Sequence, residues 1–160
     1  MKALTLKQLK DELAHKSPNE LKELCLQLSR FKKDNKELLA YLLFESHNEE
    51  SYIESVKNQM EVQFAEIKTK NYFFIRKAIR KILTQTKKYI RYSKKKETEV
   101  VLLLHFCRNL KEMKPSMQQS QRLENVFFSQ IKMVTKAIEK LHEDLQYDYH
   151  IELEKLLENE

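Results

Sequence analysis

The sequence has no glycine in 160 residues. Glycine lets a backbone take positive φ in tight turns, bulges and close approaches, so parallel α/β folds and β-barrels are not expected. The same absence removes the glycine loops that cradle phosphates or dinucleotides. Proline occurs only at Pro18 and Pro115, leaving long stretches without a helix breaker. Tryptophan is missing altogether. No apolar run approaches the roughly 18 residues of a membrane span, and VVLLL at Val100 to Leu104 is far too short. The N-terminus lacks the charged, apolar and small-residue order of a signal peptide. The two cysteines, Cys25 and Cys107, have no metal-type spacing and stand among leucines or beside Phe106. They read as reduced core thiols, and a cytoplasmic location is expected.

What is present is rich in Leu, Lys, Glu and Gln, all good helix formers. Charged residues make up 34% and hydrophobic ones 41%, a balance that suits amphipathic helices around a core rather than disorder. Helix starts are well marked. Thr5 with Gln8 is a capping box leading into Leu6, Leu9 and Leu13. Ser17-Pro18-Asn19-Glu20 combines a cap, proline at the first helical position and a reciprocal carboxylate. The helix that follows carries Leu21, Leu24, Cys25, Leu28 and Phe31. LKQLKDEL and LKELCLQL repeat at an offset of 15, which predicts an antiparallel hairpin of leucine helices. Asp34 with Glu37 marks a third start, and the following LLAYLLF is apolar nearly all round, so it is expected to be buried on several sides.

Tyr52, Ile53, Val56, Met60, Phe64 and Ile67 keep one face of a fourth helix apolar. Thr69-Lys70-Asn71 predicts a break with Asn71 as the next cap. A basic helix then runs to about Tyr92 and another from about Thr98 to Met113. Lys114-Pro115 should stop that one, since the residue before proline avoids helical angles. Ser116 with Gln119 offers a further capping box. Beyond it no breaker occurs, which predicts one long C-terminal helix or a bend near Tyr147 to His150. Its apolar positions Phe127, Ile131, Val134, Ile138, Leu141 and Leu145 form a heptad seam. That seam is covered either by an antiparallel partner within the chain or by a second copy in a homodimer.

The basic stretch is the least ordinary feature. From Arg76 to Lys96 there are ten cations and no carboxylate: Arg76, Lys77, Arg80, Lys81, Lys87, Lys88, Arg91, Lys94, Lys95 and Lys96. Between Lys68 and Lys96 there are twelve, against a net charge of +6 for the chain, so the other residues carry −6. At 100° per residue, Ile75, Ala78, Ile79, Ile82, Leu83, Tyr89 and Ile90 fall on one side and the cations on the other. Like charges along one helix face cost a few tenths of a kcal/mol per pair, so ordinary solvated faces mix signs. Either this face is solvated or covered by the chain's own acidic helices, or it receives a nucleic acid or an acidic protein. An anionic membrane surface fits less well, because the apolar side has the proportions of a core-facing stripe. Phe73 and Phe74 fall on or near the basic side. They are expected to be covered by another helix; left exposed, they would be stacking groups beside the cations.

No catalytic constellation is visible and no cofactor is implied. Two Glu-x-x-His pairs, Glu12 with His15 and Glu139 with His142, have the spacing of carboxylate-bridged di-metal bundle enzymes. That is the alternative from another functional class. The stretch LKQLKDELAHKSPNELKELCLQLSRFKKDNKELLAYLL resembles the opening of a family of small, uncharacterised, all-helical bacterial proteins known as a domain of unknown function. Lys32/Lys33 to Lys36-Glu37 matches its Lys-x-x-Lys-Glu segment, and RKAIRKILTQTKKYIRY is similar to a basic helix at a comparable place. The likeness covers about the first 95 residues. It implies an all-helical fold and brings no activity, cofactor or functional residue. The expectation is thus a single all-α domain over 1–160 of six or seven helices, with hairpins over 5–45 and long helices over 50–158. It is arranged as an antiparallel bundle or hairpin array, and the chain is a non-enzymatic interaction or scaffold module.

Overall fold

A computed structural model describes residues 2–158, and every regular element among them is helical. There are eight α-helices, one or two more than the sequence suggests: α1 (Leu6–Leu13), α2 (Pro18–Phe31), α3 (Lys33–Ala40), α4 (Glu49–Ala65), α5 (Tyr72–Ser93), α6 (Lys96–Glu112), α7 (Gln121–Ile138) and α8 (Glu143–Leu157). A π-helical turn at Tyr41–Glu45 follows α3, and a 3-10 turn at Met117–Gln119 precedes α7. The chain falls into two compact units, the first ending at Glu45 and the second beginning at Ser46. Among the described residues no helix is long and apolar enough to cross a membrane.

The first unit follows its local signals closely. Both capping boxes form: Gln8 N–H donates to Thr5 Oγ1 at 3.3 Å and Glu20 N–H to Ser17 Oγ at 3.2 Å, and the Gln8 and Glu20 side chains accept from the cap backbones. At the third start Lys32 is extended, α3 begins at Lys33, and the Lys32 side chain makes no cap hydrogen bond. Asn35 Nδ2 donates to the Leu28 carbonyl at 2.9 Å and ties the turn.

The packing expected of this unit is not found. No residue of α1, α2 or α3 is buried. Leu6 is 84% exposed and Phe31 78% exposed, and the leucine stripes of α1 and α2 do not bury one another as a packed hairpin would. Within LLAYLLF only Tyr41 is buried; Leu42, Leu43 and Phe44 are exposed. Cys25 is exposed too, so of the two thiols only Cys107 lies in the core. An apolar stripe records that a helix can bury one side. Whether it does depends on another element being there.

The second unit holds the core. Helix α6 is its centre and packs against α4, α5, α7 and α8. Val100, Leu102, Leu103, Leu104, Phe106, Cys107 and Leu110 are all buried, which explains why VVLLL has no polar side. Ile75, Ile79 and Ile82 of α5 and Leu123, Phe127, Val134 and Ile138 of α7 complete the cluster with Met60 of α4. Leu153 and Leu156 bring α8 onto it.

The long C-terminal helix is two helices. After Ile138 the chain tightens: Lys140 N–H donates to Ala137 O and Leu141 N–H to Ile138 O. His142 then caps α8, its Nδ1 accepting from Asp144 N–H at 3.4 Å. Gln146 Nε2 donates to the Leu141 carbonyl at 2.8 Å and closes the corner. The break falls before the Tyr147 to His150 region named from sequence, and it needs neither proline nor glycine. Phe127, Ile131, Val134 and Ile138 are buried in the core, with Leu141 partly buried against it, so these positions of the seam are covered inside this unit. Leu145 lies beyond the break, half-buried on α8.

Candidate anion-binding face

Helix α5 is positioned by contacts at both ends. At its start Asn71 Oδ1 accepts from Phe73 N–H at 2.9 Å, the cap expected from sequence. Tyr72 Oη donates to the Ser116 carbonyl at 2.6 Å and so ties the first turn to the linker before α7. At its far end Tyr52 Oη donates to the Tyr89 carbonyl at 2.9 Å, and Ser93 Oγ donates to the Glu49 carboxylate. Thr98 Oγ1 reaches the same carboxylate at 2.7 Å, and Lys95 Nζ lies 3.3 Å from it. One glutamate at the start of α4 therefore holds the α5–α6 junction. Lys94 closes α5 with φ 59°, the left-handed conformation usually filled by glycine.

With Ile75, Ile79, Ile82 and Thr86 turned into the core, the opposite side of α5 faces outward. Lys77, Arg80, Lys81, Arg91 and Lys94 are exposed, while Arg76, Lys87 and Lys88 are half-buried. Among the described residues, no carboxylate forms an ion pair with Arg76, Lys77, Arg80, Lys81, Lys87, Arg91 or Lys94. Lys88 lies 5.6 Å over the Tyr89 ring and makes further interactions. The trailing lysines differ from the helix face. Lys95 pairs with Glu49, and Lys96 pairs with Glu99 at 2.7 Å. The ten cations grouped by sequence are therefore a helical face plus two lysines already neutralised locally.

The aromatic pair departs from its expectation. Phe73 and Phe74 are 61% and 54% exposed, so among the described residues no helix covers these two rings. Their rings stand edge to face with centroids 5.3 Å apart. Counted at 100° per residue, Phe73, Lys77, Arg80, Thr84, Lys87 or Lys88, and Arg91 follow one another along a single stripe. At 1.5 Å per residue it extends about 27 Å. No acidic residue occurs in the first turn, where the helix dipole already favours an anion.

Other polar clusters have less to offer. His105 Nε2 sits 3.1 Å from Glu61 Oε1, out of line for a hydrogen bond. Burial lowers its pKa, opposed by Glu61 and assisted by Lys57 and Arg108. Burial pushes the Cys107 thiol up to about 12, which makes it an inert core group. Tyr149 Oη donates to Glu97 Oε1 at 2.8 Å; burial first, and that bond second, raise its pKa. An open groove of about 1040 Å³ between α6 and α8 has both signs of charge, including Arg108, Lys111, Glu112 and Glu152. Lys111 is spent there on the Leu156 and Glu158 carbonyls, at 2.8 and 2.7 Å.

The two Glu-x-x-His pairs fall one in each unit. Glu12, His15, Glu139 and His142 are all exposed. Glu139 closes α7 while His142 caps α8, so the break between them removes the shared helix face that the spacing implied. Among the described residues no three His, Cys, Asp or Glu side chains come together as a metal cluster. The chain matches no protein-family model, no curated protein and no solved structure.

Proposed function

We propose that this chain is a non-enzymatic interaction module that binds nucleic acid through the basic face of α5. The observation that carries this reading is that, among the described residues, the row of cations Lys77, Arg80, Lys81 and Arg91 forms no ion pair with a carboxylate, on a helix whose other side is core. Such a row can neutralise successive phosphates, and the release of condensed counterions then drives binding. The like-charge repulsion along the face is small enough to be tolerated, and an anionic polymer relieves it. The exposed aromatic pair at the head of the row favours a nucleic acid over an acidic protein, since it supplies stacking surface.

The test is affinity for DNA and RNA across a salt series, in the full chain and in a variant with Lys77, Arg80, Lys81 and Arg91 changed to glutamine. Binding should weaken linearly in log salt, with a slope of about 0.7–0.9 per neutralised phosphate. The variant should lose about three from that slope. Equal slopes in the two proteins would refute the assignment of the site. Tighter binding to polyglutamate than to nucleic acid would make the partner an acidic protein.

A further inference from the structure

Resting on the nucleic-acid reading, we infer that the ligand is single-stranded and that Phe73 and Phe74 hold an unpaired base by stacking. The cations alone do not distinguish a single strand from a duplex, because both present regularly spaced phosphates. The aromatics do. A base inside a duplex has both faces covered by its neighbours, so an exposed ring on the protein meets a free base face without the cost of unstacking a step only where the strand is unpaired or ends. Phe73 is not beside the cationic face but on it, four residues before Lys77 and seven before Arg80, so the ring and the two cations share one stripe.

The placement is also built. The Asn71 cap and the Tyr72 hydroxyl bond to Ser116 hold the first turn of α5. The Phe73 and Phe74 rings pack edge to face while both stay exposed. A base set on the rings would direct its strand along the stripe toward Lys77, Arg80 and Arg91. The stripe's length of about 27 Å is enough for several nucleotides. Both rings are more than half exposed, and burying either against a base removes apolar surface from water.

The experiment compares a short oligo(dT) strand with a duplex of the same length, in the full chain and in Phe73→Ala, Phe74→Ala and Phe73→Trp. The single strand should bind more tightly than the duplex. Each alanine change should weaken single-strand binding by about tenfold, leaving duplex affinity, salt slope and melting temperature unchanged. The parent chain has no tryptophan, so Phe73→Trp carries a single tryptophan; the variant should keep the affinity, and the tryptophan emission should be quenched by oligo(dT). Preference for the duplex, or alanine variants that bind oligo(dT) like the parent, would overturn the single-strand inference while the cationic face still accounted for the salt slope. No binding to either probe would overturn the nucleic-acid reading and this inference together.

Discussion

The Thr98 hydroxyl donates to the Glu49 carboxylate at 2.7 Å, across 49 residues of chain. Thr98 is buried, and Ser93 donates to the same oxygen, so one acceptor satisfies two hydroxyls at the junction between α5 and α6. Glu49→Ala should therefore cost about 2–3 kcal/mol, because buried donors left without a partner carry their full desolvation penalty. Glu49→Gln, which keeps an acceptor in place, should cost less. Urea denaturation of the two variants checks the order.

Lys94 takes a left-handed backbone that costs a residue with a Cβ about 1–2 kcal/mol. Lys94→Gly should raise stability by up to about 1 kcal/mol, part of the gain being offset by the greater freedom of glycine in the unfolded chain. A higher melting temperature for this variant, with Lys94→Ala unimproved, is the expected result.

His105 supplies a pH dependence of definite sign. Burial holds its folded pKa below the ordinary 6.5, so around that pH the unfolded chain binds more protons than the folded one. Its contribution is fully present above about pH 6.5 and is lost as the pH falls through the lowered folded value. Glu61 and Glu54 of α4 favour the protonated ring, Lys57 and Arg108 oppose it, and burial outweighs them. Stability measured from pH 7 downward should fall less steeply in His105→Gln than in the parent.

The two thiols should separate kinetically. Cys25 is exposed and Cys107 is buried with its pKa pushed up to about 12. A disulfide reagent at neutral pH should titrate one thiol in the native protein and the second only after unfolding. Two rapid thiols would mean that the α6 core opens readily.

Some of this was legible from the residues alone. Thr5 with Gln8, Ser17 with Glu20, and Asn71 ahead of Phe73 are caps made within three residues of chain, and each formed as read. The wheel of α5 was equally local, and Ile75, Ile79 and Ile82 are buried with the cations opposite. Sequence and structure part where an outcome depends on a distant element. Leu6, Leu28 and Leu43 have the pattern of buried residues and are exposed, and Phe73, whose position predicts cover by another helix, is exposed as well. The heptad from Phe127 to Leu145 continues across a corner that Lys140, Leu141 and His142 make without any breaker residue.

By itself, then, the sequence determined that the chain is helical, where most helices begin, and that α5 has one apolar and one cationic side. Those properties follow from the absence of glycine, from capping groups a few atoms from their targets, and from the 3.6-residue period. Only the tertiary structure decided which apolar stripes found a partner, where the last helix turned back onto α6, and that among the described residues Lys77, Arg80, Lys81 and Arg91 of α5 form no ion pair with a carboxylate. The reason is physical. Periodicity specifies the face that a helix can bury, whereas burial and ion pairing require a second surface at the same place.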